Sequence, residues 1–154
     1  LIIFMFFNFL NKSYLGDGGS YLVSFITGYI LINFQINQNI SPYYIVLFLW
    51  YPAFENLFSI LRRSFSKNLR PDRPDLLHLH HLLFKFINKK YKLKKFLKFS
   101  IASIVINFFN LIIFYFGSFF IYSTSKLLGL IFICIFVYLI TYFVLLKKLK
   151  LVND

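Results

Sequence analysis

The stretch PDRPDLLHLHH, residues 71–81, contains all three histidines of the chain, His78, His80 and His81, behind Asp72, Arg73 and Asp75. Imidazoles grouped this closely can ligate a metal, donate to a phosphate, or decorate a polar helix. Zinc is the weakest of these readings, because no cysteine and no carboxylate at helical spacing completes a tetrahedral ligand set. On a continuous helix His78 and His81 would share one side at i, i+3, with His80 turned away, so two imidazoles could face one ligand. Arg62, Arg63, Arg70 and Arg73 lie upstream, and their forked donors suit a diphosphate better than lysines would. Histidine and arginine together therefore favour a polyanionic ligand.

A second chemical cluster is YLGDGGSY, residues 14–21. Asp17 stands among Gly16, Gly18, Gly19 and Ser20, just before a long apolar run. Glycine permits positive φ and close backbone approach, and a helix N-terminus offers free N–H groups and a positive dipole end to a phosphate. One reading is an ordinary turn with Asp17 or Ser20 as N-cap. The other is a divalent ion shared by Asp17 and a pyrophosphate. A single carboxylate is a sparse metal site, because Mg²⁺ on phosphates takes one or two carboxylates plus waters.

The elements that must position these clusters are membrane spans. The 154 residues are 59% hydrophobic and 14% charged, with a mean hydropathy of +0.71. Soluble domains carry about 45–50% apolar and about 25% charged residues, and one compact domain of this length could not hide so much apolar surface. Four runs, approximately 20–36, 42–61, 99–122 and 127–146, approach the ~20 residues needed to cross hydrocarbon as helix. The opening LIIFMFFNFL is shorter, and is expected to be the end of a fifth helix that starts upstream. No basic region precedes it and no small-residue cleavage site follows it, which argues against a secretory signal. The predicted fold is an all-α polytopic membrane protein: one integral membrane domain over residues 1–154, with a basic loop, residues 62–98, that contains a short helix.

Threading the spans alternately puts Lys12, the loop 62–98 and the tail 147–150 on one side. That side holds 16 of the 17 basic residues, and Lys126 alone falls opposite. Positive flanks mark the cytoplasmic side, so Asp17 and the histidine loop are expected on the same cytoplasmic face. The aromatic abundance, 23 Phe and 11 Tyr, is given no functional weight. Cys134, the one cysteine, excludes an internal disulfide or thiolate cluster and reads as an inert side chain at lipid depth. Glu55 lies within a span, where a carboxylate needs a partner facing the bundle, and a structural ion pair is favoured over catalysis. Asn107 and Asn110 read as interhelical hydrogen-bonding residues. The run KFINKKYKLKKFLK, residues 85–98, mixes lysines with aromatics. Between spans it reads as an interfacial amphipathic helix on anionic membrane lipids, with no nucleic acid partner.

Three motifs in this order resemble the polyprenyl-phosphate N-acetylhexosamine 1-phosphate transferases, a family that includes the phospho-N-acetylmuramoyl-pentapeptide translocases. NFLNKSYLGDGGSYLVSF carries Asn8, Phe9, Leu15, Gly16, Asp17, Gly19, Ser20 and Phe25. YPAFENLFSILRRSFSK carries Pro52, Glu55, Arg62 and Arg63. RPDRPDLLHLHHLLFKF carries Pro71, Asp72, Arg73, His78, Leu79, His80 and His81. The resemblance implies a bacterial inner-membrane enzyme that moves a sugar 1-phosphate from a UDP-sugar to undecaprenyl phosphate, releasing UMP and starting a cell-surface glycan such as O-antigen.

In that scheme Asp17 would bind Mg²⁺, or Mn²⁺ in its place. His78, His80 and His81 would act at the phosphates, and Gly16, Gly19, Ser20, Arg62, Arg63, Asp72 and Arg73 would contact substrate. A homodimer is among the assemblies open to it. The resemblance covers nearly all of this chain but about the C-terminal half of a family member, whose paired-aspartate motif lies upstream, so the 154 residues alone are expected to be inactive. Extra residues also separate the Asp72–Arg73 pair from the histidines. The competing expectation is a noncatalytic transporter or channel-type subunit with a lipid-binding basic loop. Such a subunit would place its polar groups near mid-membrane.

Overall fold

A computed structural model describes Phe4, Phe7, Asn8 and residues 12–65, 77–92 and 95–150. The described residues form five helices: α1 (Gly16–Gln38), α2 (Pro42–Phe65), α3 (Leu79–Lys90), α4 (Lys95–Ser118) and α5 (Thr124–Lys150). No strand occurs among them. All but α3 are long and apolar enough to cross a membrane, as the fold class requires. α1, α2 and α5 are longer than their apolar runs because polar residues at the rims still satisfy their backbone within the helix; α4 starts before its run and stops at Ser118, where the run 99–122 was expected to continue. Of the opening segment only Phe4, Phe7 and Asn8 are described; all three are helical.

The helices fall into two compact units, 1–40 and 41–154. In the first, α1 starts at Gly16, whose φ of +66° is a left-handed conformation that costs any other residue strain. It ends at Asn39, also left-handed at φ 49°, the usual way a helix C-terminus is turned off. None of its residues is buried, and Tyr21, Phe25, Tyr29 and Ile30 are exposed.

In the second unit α2, α4 and α5 pack together, with α3 laid against α4 and α5. Pro42 opens α2, a position where its missing N–H costs nothing. Leu47, Trp50, Ile113, Leu127, Tyr138 and Tyr142 form the core, joined by Leu79 and Leu82 of α3. Cys134 is fully buried in this core, a packing residue of the bundle and not a lipid-facing one. At Gly117 a Cβ would lie 2.5 Å from Leu47 Cδ2. Trp50 Nε1 donates to Asn110 Oδ1 at 3.0 Å between α2 and α4, the interhelical bond expected of that asparagine, whereas Asn107 is exposed. At one end of the unit the Ser41 N–H donates to the Ile121 carbonyl at 3.0 Å, and the Ser41 and Thr124 hydroxyls meet at 2.9 Å. The histidines lie at the other end.

The run 85–98 is not one interfacial helix. Its first part completes α3, Tyr91 and Lys92 leave the helix, and α4 has begun by Lys95. Lys98 is buried, and its ammonium bonds Asn88 Oδ1. Lys85, Lys89, Lys90 and Lys92 are exposed.

Candidate functional site

Asp17 and Ser20 both lie inside α1 and neither is its N-cap. That position belongs to Leu15, with φ −70°, ψ −29° and no side-chain cap. The Ser20 hydroxyl turns back to the Gly16 carbonyl at 2.7 Å, the usual recourse of a helical serine. Asp17 sits in the first turn, where a carboxylate is favoured by the helix dipole, and is exposed, as is Gly16; Gly19 is half-buried. Asp17 is a single carboxylate, too few to hold a divalent ion by itself. Among the described residues no three His, Cys, Asp or Glu side chains converge to hold a metal. Mg²⁺ keeps several waters and takes phosphate oxygens beside one or two carboxylates, so an exposed Asp17 fits as one protein ligand of a shared ion.

The second unit holds the histidines. Arg62 and Arg63 end α2, and α3 starts beside them. Asp72 and Arg73 lie outside the described residues. Arg62 Nη1 donates to the Leu77 carbonyl at 3.0 Å and to the Tyr142 hydroxyl at 2.6 Å. Its guanidinium also stands 5.9 Å from the Phe58 ring centroid and 5.7 Å from that of Tyr142. Arg63 Nη2 donates to the Ser59 hydroxyl at 3.2 Å. Arg62 is thus a brace between the loop, α2 and α5.

His78 is not part of α3. It occupies the N-cap position in an extended conformation, φ −62° and ψ 148°, and this changes how the rings are arranged. His80 is not turned away from the others. Ring centroids lie 5.6 Å apart for His78 and His80, 6.3 Å for His78 and His81, and 4.2 Å for His80 and His81. All three imidazoles form one cluster because the extended cap residue folds its ring back over the first helical turn. Partial burial first, and His81 second, hold the His80 imidazole below the ordinary value of 6.5; Glu55 opposes the shift and His78 adds to it.

Glu55 is the residue that ties this cluster to the membrane bundle. It is 7% exposed, and its Oε1 accepts from the Leu79 N–H at 2.8 Å and lies 3.1 Å from His78 Nδ1. The bundle-facing partner expected for Glu55 is therefore a histidine 23 positions later, and the carboxylate also caps α3 in place of a local side chain. The Tyr51 and Tyr138 hydroxyls face the same carboxylate. Those hydroxyls and Glu55 Oε2 are buried without completing a hydrogen bond. Below the cap, a cavity of about 160 Å³ is bounded by Trp50, Tyr51, Leu79, Leu83, Phe109 and Tyr138 among others. The depth of Glu55 in a span was the sequence signal for its importance; its partner could not be read from spacing.

Over an alignment 77 residues long that covers 48% of this chain, it is 35% identical to the undecaprenyl-phosphate alpha-N-acetylglucosaminyl 1-phosphate transferase of Yersinia pestis. The similarity is to a transferase of the kind the three motifs resemble. It covers 20% of that protein, so the chain spans about a fifth of its relative's length. No family model matches, and no solved structure matches.

Proposed function

We propose that this chain is part of a bacterial inner-membrane transferase that moves a sugar 1-phosphate, N-acetylhexosamine 1-phosphate in the first instance, from a UDP-sugar to undecaprenyl phosphate. In this reaction an oxygen of the acceptor phosphate attacks the β-phosphorus of the donor. The bond from that phosphorus to the bridging oxygen breaks, and UMP leaves with the electron pair. The observation that carries the reading is the imidazole cluster, anchored at the end of a membrane bundle where Arg62 and Arg63 also lie. Such an end can receive a water-soluble dianion while the bundle meets a lipid acceptor. Support also comes from the partial similarity to the Yersinia pestis transferase.

His78, His80 and His81 would donate hydrogen bonds to the donor phosphates, on which charge builds as UMP departs. Preorganised donors at such a point account for much of catalysis in phosphoryl transfer. Asp17 would hold Mg²⁺, which when bound neutralises the diphosphate. Gly16, Gly19 and Ser20, at the exposed start of α1, would also contact substrate. The loop would face the cytoplasm, following the positive charge.

The test is UMP release from UDP-N-acetylglucosamine in membranes containing the full-length protein and undecaprenyl phosphate. Asp17→Asn and His78→Ala should each lower turnover about 100-fold or more, the usual size for removing an electrostatic group, while insertion is unchanged. Full turnover in both variants would discard the site assignment.

A further inference from the structure

We infer that Glu55 is a positioning residue for His78, fixing the proton on Nδ1 and thereby making Nε2 the working nitrogen of the site; its bearing on catalysis rests on the transferase reading above. The two ring nitrogens of a histidine are distinct, and the hydrogen bond made by one decides what the other can do. Here the partner of Nδ1 is a carboxylate oxygen at 3.1 Å. An ionised carboxylate only accepts, so Nδ1 carries its hydrogen. Nε2, across the ring, points away from Glu55. It bears a lone pair when the ring is neutral and a second N–H when the ring is charged, and the charged form is the one that would donate to a donor phosphate.

The carboxylate is itself held. Its Oε1 also accepts the Leu79 N–H at 2.8 Å, a donor at the N-terminus of α3 that would otherwise go unsatisfied. One oxygen thus orders the first turn of α3 and the ring that precedes it, so the His78 orientation and the helix start are a single structural event. On the other side Tyr51 and Tyr138 bring two hydroxyls towards the carboxylate. An aspartate or glutamate that orients a functional imidazole in this way is usually buried, and the Glu55 side chain is 8% exposed where that of His78 is 22%. The imidazole reaches solvent and its partner does not.

The experiment uses full-length protein in lipid nanodiscs with ¹⁵N-labelled histidine. At neutral pH the His78 resonances should show a protonated Nδ1; a bare Nδ1 with the hydrogen on Nε2 overturns the inference. Glu55→Gln keeps an acceptor for the Leu79 N–H but removes the charge. It should shift the His78 nitrogens more than those of His80 and His81. It should also lower kcat for sugar-phosphate transfer about 10- to 100-fold, the range typical of residues that orient a functional histidine, with donor KM changed only a few-fold. Glu55→Asp should recover part of the loss. Unchanged His78 resonances and unchanged kcat in Glu55→Gln overturn the inference. A protonated Nδ1 that depends on Glu55, in a protein that releases no UMP, would instead overturn the transferase reading and leave the positioning of His78 established.

Discussion

Arg62 of α2 donates to the hydroxyl of Tyr142 in α5 at 2.6 Å, and through the same Nη1 to the carbonyl of Leu77 at 3.0 Å. The side chain therefore fastens the segment leading into the histidine cluster to two membrane helices. Hydrogen bonds from a charged group contribute about 1.5–3 kcal/mol, so Arg62→Ala should lower stability by about that amount, and Tyr142→Phe by about 1 kcal/mol. Thermal unfolding in detergent reads this directly. A purely substrate-binding arginine would instead raise KM and leave the unfolding midpoint in place.

A different constraint operates where α4 meets α2. Leu47 is fully buried and occupies the space a side chain at Gly117 would need, 2.5 Å from its Cβ. Small residues let membrane helices approach closely. Overpacking a filled interface costs about 1–3 kcal/mol, so Gly117→Ala should destabilise by that much. Leu47→Ala alone should cost about 2–5 kcal/mol, and in that background the Gly117→Ala penalty should shrink, because the two substitutions act on one volume. Equal and additive losses in a double-mutant cycle would mean that the two residues do not share this contact.

The spans were legible because a length of about 20 apolar residues has few other uses. The arrangement of the histidines was not. His80 looked turned away only on the premise that the helix runs through His78. The first turn of α3 has no serine, threonine or aspartate at its N-cap to announce where it begins; Glu55, 24 residues before Leu79, supplies the acceptor from another helix. A cap provided across the bundle leaves no local signature. The same limit applies to Arg62, whose sequence context reads as positive-inside anchoring while its partners, Leu77 and Tyr142, lie far along the chain. Ser20 illustrates the converse: its type suggested a cap, but once Gly16 had begun the helix its hydroxyl could bond back to the carbonyl four residues earlier.

The His80 shift gives stability a pH dependence of definite sign. Its pKa in the folded chain lies below the ordinary 6.5, so the unfolded chain takes up the proton first as pH falls. Stability from this residue is complete above about pH 6.5 and is lost as pH drops through the lowered folded value. The neighbouring His81 and His78 act in the same direction as burial, and the Glu55 charge opposes the effect. His80→Asn should flatten the stability profile below pH 6.5 relative to the parent protein, measured by unfolding midpoints from pH 5 to 8. A profile unchanged by the substitution would place the acid-sensitive group elsewhere.

Asp17 offers the sharpest separation between a helix residue and a metal ligand. In the first turn of α1 its charge interacts with the helix dipole, an effect of about 0.3–1 kcal/mol at an exposed site. Asp17→Asn should therefore shift the unfolding midpoint only slightly. If the carboxylate holds Mg²⁺ against the donor diphosphate, the same substitution should remove most turnover, and excess EDTA should silence the parent protein until Mg²⁺ is restored. Asp17→Glu keeps the charge but moves it outward by one methylene, and should leave activity well below that of the parent protein while matching its stability. Gly16→Ala supplies the control in the opposite direction. With φ at +66°, a Cβ there costs about 1–3 kcal/mol of strain, so stability falls although the carboxylate is untouched. Loss of turnover in Asp17→Asn without loss of fold, beside loss of fold in Gly16→Ala, would assign the acidic residue to chemistry and the glycine to the turn that presents it.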